Sequence, residues 1–219
     1  MSVLSGILIA NISLALLAAL IYWQGTMHAE QLRDVRRQFS KLSSTDPVTN
    51  LPNRARLHER LTEALESEGP DPALMVIDLD GFKVVNDTLG HETGDELLKA
   101  VAMRMTSCLH EKDMLARVGG GEFAALITRP DAEIRATQTA QSIDEAMHAP
   151  FRIGEDVINM KAHIGIAPTL KGQVPATEIV RRADVAMFAA KNDRLERVRT
   201  YSPAMDEALQ LRRTINSEL

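Results

Sequence analysis

The chain has 219 residues, a net charge of -5, 45% hydrophobic residues and 25% charged residues. This composition excludes a collagen-like or low-complexity chain and a basic nucleic-acid-binding protein. The single cysteine, Cys108, excludes an intrachain disulfide and a zinc site built on cysteines. We expect one medium-sized domain with a shorter additional segment, and no nucleic-acid partner.

The shorter segment lies at the N-terminus. Residues 3–23 carry no charge, and a helix of that length, at ~1.5 Å per residue, just spans a ~30 Å hydrocarbon core. A signal peptide would need a basic residue before the apolar run, and none precedes Val3, whereas basic residues follow at 33, 36, 37 and 41. A buried core helix is the other alternative, and the length of the run disfavours it. Residues 3–23 therefore predict a single transmembrane helix with the following domain in the cytoplasm.

Residues 24–45 predict a juxtamembrane helix that ends at Asp46-Pro47, because proline disfavours helical geometry in the residue before it. One face of this helix has a short heptad-like seam, which could pair with a second copy of the chain or lie against its own domain. The seam consists of four residues at spacings of three, four and three: Leu32, Val35, Phe39 and Leu42.

Helices and strand pairs alternate through residues 46–200. Hydrophobic periodicity and turn residues predict helices at 53–66, 94–110, 131–148 and 176–191, and a strand at 73–79. Two hairpins are expected, one with arms 114–117 and 122–128, the other with arms 151–153 and 157–166. This order predicts an α+β fold whose central, mostly antiparallel sheet is flanked by helices on both faces.

Two carboxylates, Asp78 and Asp80, end the predicted strand at 73–79 and precede a short helix. Carboxylate oxygens suit Mg²⁺. The backbone N–H groups at the start of the helix, together with Lys83, suit a polyphosphate. Asp80 could instead serve only as the helix cap.

A polar segment with Asn86 and Asp95 follows. A carboxylate can accept two hydrogen bonds from the edge of a guanine base, and an asparagine supplies the complementary donor and acceptor. Alternatively, Asp95 is only a first-turn acid that the helix dipole favours. Further along, the turn at Gly119-Gly120-Gly121 would allow a ligand to approach the backbone closely.

In this order and at these distances, the segments resemble the GGDEF family, the diguanylate cyclases, over about residues 46–199. Residues 46–54 read D-P-V-T-N-L-P-N-R, residues 78–83 read D-L-D-G-F-K, and residues 86–95 read N-D-T-L-G-H-E-T-G-D. The resemblance implies a nucleotidyl-cyclase-like fold that uses Mg²⁺ to condense two GTP molecules, held by two subunits, into cyclic di-GMP. It also places the predicted anchor in the inner (cytoplasmic) membrane of a bacterium.

The resemblance assigns roles to individual residues. It implies that Asp78 binds Mg²⁺ through its side chain and Leu79 through its carbonyl, and that Asn86 and Asp95 recognise guanine. Glu122 matches the acid at the fourth position of the family signature, which helps to organise or deprotonate the attacking 3′-hydroxyl. Three further substrate contacts are implied: Phe82, Lys83 and Lys191.

One departure from the family concerns the metal site. The third position of the signature carries an acid in the family, and here it is Gly121. Two-metal phosphoryl transfer stabilises both the attacking and the leaving oxygen, so loss of a ligand weakens the Mg²⁺ site and misplaces the nucleophile. Glu122 is one residue further round a tight hairpin and is expected to project elsewhere.

These observations favour a catalytically impaired, GTP-binding regulatory or dimerisation module. Two alternatives stay open: an active cyclase that recruits Glu122 or Asp80 to the metal, and an interaction module that binds no nucleotide.

Three other positions depart from the family. The inhibitory product site has the pattern R-x-x-D in the family, and here His110 replaces the arginine while Asp113 is kept. Leu195 falls where a phosphate-binding arginine belongs, unless a one-residue deletion lets Arg194 serve. A serine of the family is replaced by His163, for which a packed structural role is expected.

Residues 201–219 predict a C-terminal connector helix. The segment is similar to the connector between a GGDEF domain and a following EAL phosphodiesterase domain. Two interpretations of this segment stay open. The chain is the N-terminal part of a GGDEF–EAL tandem protein, or the segment is an ordinary frayed terminal helix.

Overall fold

The computed structural model describes residues 44–169, 171–193 and 195–209. Its helices are α1 (Arg54–Glu66), α2 (Phe82–Cys108), α3 (Ala132–Met147) and α4 (Ala176–Asn192), and residues 203–209 are also helical. Its strands are β1 (Ala73–Asp80), β2 (Met114–Gly119), β3 (Glu122–Ile127), β4 (Phe151–Ile153), β5 (Asp156–Ile158), β6 (Lys161–Pro168) and β7 (Val198–Thr200).

Strand β1 is the centre of a five-stranded sheet with the order β2-β3-β1-β6-β7. It pairs antiparallel with β3 and β6, and only β7 runs parallel to its neighbour. Successive side chains of a strand point to opposite faces. Met75 and Ile77 therefore pack with α2 and α3, while Leu74 and Val76 pack with α1 and α4. This architecture confirms the predicted α+β fold with helices on both faces of a mostly antiparallel sheet.

The second predicted hairpin is only partly correct. Its second arm, expected at 157–166, is divided into β5 and β6. Strand β4 has three residues and pairs only with β5, so the backbone groups that follow obtain their partners from β1 instead. Strand β7 was not predicted, because three half-buried residues carry no distinct hydrophobic period.

Helix α2 combines the short helix predicted directly after β1, which is confirmed, with the helix predicted at 94–110, which therefore has no separate start at residue 94. Gly90 interrupts it with a non-helical backbone (φ 86°, ψ 163°) and so separates two helical arms. The N-cap residue is Gly81, in the left-handed conformation and with no side-chain cap. The interpretation of Asp80 as the cap of this helix is therefore wrong, and its carboxylate is exposed at the end of β1.

Two predicted segments fall largely outside the described residues. They are the transmembrane helix at 3–23 and the juxtamembrane helix at 24–45, of which only the last two residues are described. In the connector at 201–219, the structure describes residues 201–209. Within residues 44–169, 171–193 and 195–209, no helix is long and apolar enough to cross a bilayer.

A network around Asp46 joins the N-terminal motif to the turn between β2 and β3. The Oδ1 atom of Asp46 accepts hydrogen bonds from the Thr49 N–H (2.9 Å), the Thr49 hydroxyl (2.8 Å) and Nη1 of Arg117 (2.9 Å). Nε and Nη2 of Arg117 donate to the Gly120 carbonyl at 3.2 and 2.9 Å. Both charged side chains are largely buried, so this ion pair is less screened by solvent than a surface pair.

The charge on Asp46 is stabilised by these contacts. Partial burial by itself would raise the pKa of Asp46, but the hydrogen bonds from Thr49 and Arg117 outweigh it and leave the pKa below its usual value. A lowered folded-state pKa contributes stability above the unfolded-state pKa of about 3.9, and this stability is lost as the pH falls through the folded-state value.

We expect Asp46→Asn to lower the free energy of unfolding at neutral pH by about 1–3 kcal/mol. The new amide oxygen can still accept hydrogen bonds from Thr49, but the substitution removes the negative charge that pairs with Arg117. The difference from the wild type should shrink as the pH falls below about 4, because Asp46 then becomes protonated in the wild type as well. Urea denaturation of the full chain, followed by circular dichroism across this pH range, measures both effects.

A matched control is Asp156→Asn, which removes an exposed carboxylate in β5. It should change the free energy of unfolding by less than about 0.5 kcal/mol. If the free energies of unfolding of the wild type and Asp46→Asn differ by as much in acid as at neutral pH, the stabilisation does not come from the Asp46 charge.

Candidate functional site

A cleft of about 550 Å³ opens where β1 ends. The turn into α2, the β2–β3 turn and the last turn of α4 form its walls. It brings together most of the site residues predicted from the sequence, and Asp95, His110 and Asp113 are not among those that line it. The lining residues are Asp78, Leu79, Gly81, Phe82, Lys83, Asn86, Gly119, Gly120, Gly121, Glu122 and Lys191.

Two carboxylates and an imidazole form a row across the sheet at this end. Asp78 of β1 lies directly opposite Glu122 of β3 on one side and opposite His163 of β6 on the other. Directly opposed residues of antiparallel strands point to the same face, with Cβ atoms ~4.5–5.5 Å apart. The expectation that Glu122 projects elsewhere is therefore wrong: the turn ends at Gly121, and Glu122 is already in register with Asp78.

Glu122 lies close to two charged residues that the sequence motifs did not connect with it. Its Oε2 atom lies 3.9 Å from Nη2 of Arg54, at the start of α1. Partial desolvation and then the Glu122 carboxylate raise the pKa of Asp184 on α4, while Arg54 lowers it. These residues come from three distant segments, so no local pattern could have placed them together.

Lys191 is bound to the predicted metal ligand. Its Nζ atom donates to Oδ2 of Asp78 at 2.5 Å, from the last turn of α4. The Asp78 side chain is only 14% exposed, and that of Lys191 is 46% exposed. The hydrogen bond to Asp78 and the charges of Asp78, Asp80 and Glu122 raise the pKa of Lys191 above its usual value. The ammonium group is thus a stable positive charge at the acidic end of β1.

Gly121 adds no ligand to this position, and it packs against Phe82. A Cβ atom on Gly121 would lie 3.0 Å from the Phe82 Cβ and 3.2 Å from its ring, so a larger residue requires a shift of a few tenths of an ångström. The Gly121 carbonyl accepts the Leu79 N–H at 3.1 Å. Within the described part of the chain, no group of three or more His, Cys, Asp or Glu residues is placed to hold a metal ion. Two carboxylates do face each other at this edge of the sheet, those of Asp78 and Glu122.

The proposed guanine-reading pair is organised around Gly94. A Cβ atom there would lie 1.9 Å from Oδ1 of Asn86, so only glycine leaves room for this carboxamide between the two arms of α2. Asp95 follows directly and is exposed. Asn86 lines the cleft, and its carboxamide lies against the residue that precedes Asp95.

The remnant of the inhibitory site is closed by internal contacts. Nε and Nη2 of Arg129 donate to the two carboxylate oxygens of Asp113 at 3.0 and 2.7 Å. The Asp113 side chain has no exposed surface. Nδ1 of His110 accepts the Lys112 N–H at 3.2 Å and so belongs to its own turn.

Among the described residues, the remaining departures add no cation to the lining of the cleft. Leu195 is 93% exposed, and Arg194 lies outside the described residues. The lining of the cleft contains two lysines, Lys83 and Lys191, and no arginine among the residues described. His163 is buried, its Nδ1 has no hydrogen-bond partner within the described residues, and burial lowers its pKa although Asp80 and Asp78 oppose this.

Comparisons with known proteins place these observations in a family. Residues 43–197 match the family described as diguanylate cyclase, GGDEF domain. The chain is 36% identical over 167 residues to MucR of Pseudomonas aeruginosa, named a bifunctional diguanylate cyclase/cyclic di-GMP phosphodiesterase, covering 75% of this chain and 24% of MucR. The chain spans well under half of the length of the curated relatives it matches, with shares from 16% to 40%.

Solved structures agree with this match. The GGDEF domain of TpbB (YfiN) from Pseudomonas aeruginosa is 34% identical with a TM-score of 0.70, over 76% of this chain and 99% of that chain. The coiled coil and GGDEF domain of DgcB from Caulobacter crescentus, in complex with c-di-GMP, is 30% identical with a TM-score of 0.66, over 81% of this chain and 95% of that chain. By its sequence motifs, its sheet and its cleft, the chain therefore belongs to the GGDEF family.

Proposed function

We propose that this chain is a membrane-anchored, cytoplasm-facing GGDEF module that binds GTP, has little or no cyclase activity, and acts by regulation or dimerisation in cyclic di-GMP signalling. The observation that carries this proposal is Gly121, which leaves Asp78 without a second carboxylate at the third signature position.

The cost of this change to catalysis is large. Two metal ions would stabilise the attacking and leaving oxygens, and the second carboxylate would hold them together against their mutual repulsion. The Asp78 carboxylate already accepts a hydrogen bond from Nζ of Lys191 at 2.5 Å. Displacement of a reacting group by about 1 Å can alone cost on the order of 100-fold in rate. The Mg²⁺ site is accordingly weak and the reaction slow.

The features for nucleotide binding are retained. Asn86 is held beside Gly94 and Asp95, where a carboxamide and a carboxylate can bind the edge of guanine. Lys83 and the first N–H groups of α2 face a cleft large enough for a ligand. A site that keeps its base recognition and loses a metal ligand suits a sensor of GTP better than an efficient enzyme.

Membrane attachment and assembly complete the proposal. Residues 3–23 carry no charge and are followed by basic residues, which supports a single-pass anchor in the inner membrane. The seam in residues 24–45 supports a homodimer, and the connector at 201–219 supports an EAL phosphodiesterase as a partner or following domain. The Arg129 contacts of Asp113 support the loss of feedback binding of cyclic di-GMP.

One observation favours a second candidate function, an active diguanylate cyclase. Glu122 lies directly opposite Asp78 and shares its face of the sheet. Its contact with Arg54 is long, at 3.9 Å, and both side chains are well exposed, so this pair holds Glu122 only weakly. A carboxylate in this position could turn toward a metal ion at Asp78.

Gly121→Asp separates the two candidates. If Gly121 causes the impairment, the variant should form cyclic di-GMP on the order of 100-fold faster than the wild type, because it restores the second carboxylate. The measurement is chromatography of product formed from GTP with Mg²⁺ or Mn²⁺, on the full chain. Gly69→Asp is the matched control, since a Cβ there meets no atom closer than 3.5 Å.

A wild-type rate within a few-fold of the Gly121→Asp rate would contradict the proposal and favour the active cyclase. In that case Glu122→Gln should abolish product formation, because it removes the carboxylate that the second candidate needs.

Asp95→Ala tests nucleotide recognition independently of catalysis. Loss of its hydrogen bonds to guanine should weaken GTP binding by about 10- to 100-fold, since each such bond to a charged group contributes about 1.5–3 kcal/mol. Calorimetric titration of the full chain with GTP measures the change, and Asp156→Ala is the control at an exposed carboxylate outside the cleft. Absence of GTP binding by the wild type would instead indicate an interaction module without nucleotide.

A further inference from the structure

Lys161 is the first residue of β6 and belongs to none of the motifs found in the sequence. We propose that its ammonium group is a further positive charge, beside Lys83 and Lys191, for the terminal phosphates of a guanine nucleotide bound in the cleft. This proposal rests on the proposed function, because it names a residue that would hold the phosphates of that same nucleotide.

The strand register places Lys161 beside the acidic end of β1. Lys161 lies directly opposite Asp80, two residues beyond the pair of His163 with Asp78. Alternate residues of a strand point to the same face, so Lys161 and Asp78 share a face of the sheet. Directly opposed residues have Cβ atoms ~4.5–5.5 Å apart, and Asp80 in turn interacts electrostatically with Lys191 of the cleft. Lys161 therefore stands next to the charged groups at the end of β1.

The Lys161 side chain is available to a ligand. It is exposed, and among the described residues its ammonium group has no ion pair or hydrogen bond, although Asp80 lies opposite. Lysine carries its charge on a flexible four-carbon stem with three rotatable donors. Lys161 does not itself line the cleft, so this stem has to extend over the end of β1 to bring the ammonium to a phosphate.

The loop beside Lys161 is the one that lacks an expected cation. This loop precedes β7 and runs along the start of β6, because the Ile164 N–H donates to the Arg197 carbonyl at 2.8 Å. The first pair of these parallel strands is Ile164 with Val198. Lys161 and Leu195 each precede that pair by three residues. Leu195 falls where the family resemblance places a phosphate-binding arginine, and it is 93% exposed. The charge that position 195 lacks is thus present on the neighbouring strand.

The two faces of the sheet indicate which part of a nucleotide Lys161 would meet. Helix α2, which carries the proposed guanine-reading pair, packs on the face of Met75. Lys161 and Asp78 point to the other face, where α4 packs and Lys191 reaches Asp78. A nucleotide with its base at α2 and its phosphates at Lys191 crosses the end of β1, so its terminal phosphates come nearest to Lys161.

The balance of charge favours a further cation at this end of the sheet. Three carboxylates act on the Lys191 ammonium, those of Asp78, Asp80 and Glu122. Among the described residues that line the cleft, Lys83 is the only other basic side chain. Three carboxylates and two lysines leave a net negative charge, which repels an anionic triphosphate. The Lys161 ammonium offsets this charge and can form charge-assisted hydrogen bonds to phosphate oxygens.

The test is calorimetric titration of the full chain with GTP and with GMP at one fixed Mg²⁺ concentration. Lys161→Met should weaken the binding of GTP by about 10-fold, because a charge-assisted hydrogen bond to phosphate is lost. The same variant should weaken the binding of GMP by less than about twofold, since GMP lacks the terminal phosphates and the contacts to its base are unchanged. Lys161→Arg keeps the charge and should bind GTP within about threefold of the wild type.

Lys112→Met is the matched control, because it removes an exposed lysine outside the cleft and changes the net charge equally. It should bind both nucleotides like the wild type. Unchanged GTP binding by Lys161→Met, equal weakening for GTP and GMP, or equal weakening by Lys112→Met would each overturn the inference and leave the proposed function intact. An absence of GTP binding by the wild type would overturn both.

Discussion

The structure depends on the central position of β1, which is enclosed by neighbouring strands and helices. This strand is hydrogen-bonded to β3 and β6 and covered on both faces by helices. Its last residues therefore have a fixed direction, and Asp78 stands in the wall of the cleft as part of a rigid sheet. Each group that acts on Asp78 is defined by its position relative to this strand, since Gly121 and Glu122 lie on one neighbour, His163 on the other, and Lys191 above the sheet on α4.

The character of the site follows from the balance of charge at the end of β1. Three carboxylates, those of Asp78, Asp80 and Glu122, act on a single ammonium group. With Gly121, this end of the sheet has one carboxylate fewer than an acid at that position would supply, and Asp78 accepts a hydrogen bond from Lys191.

The cleft is also joined mechanically to the start of the domain. Asp46 binds Arg117, and Arg117 binds the carbonyl of Gly120 in the turn that carries Gly121. The segment predicted to form the juxtamembrane helix ends one residue before Asp46 in the sequence. Arg117 thus holds the start of the domain and the β2–β3 turn together.

The sequence by itself determined the family, the α+β fold, the helices and the residue types of the site. These features are encoded locally, by hydrophobic period, turn glycines and short motifs such as the run from Asp78 to Lys83. The tertiary structure decided which side chains meet. It placed Glu122 directly opposite Asp78 in the sheet. It also paired Lys191 with Asp78, more than a hundred residues away in the sequence, and Arg129 with Asp113. Strand register and helix packing set these contacts, and both depend on residues far apart in the chain.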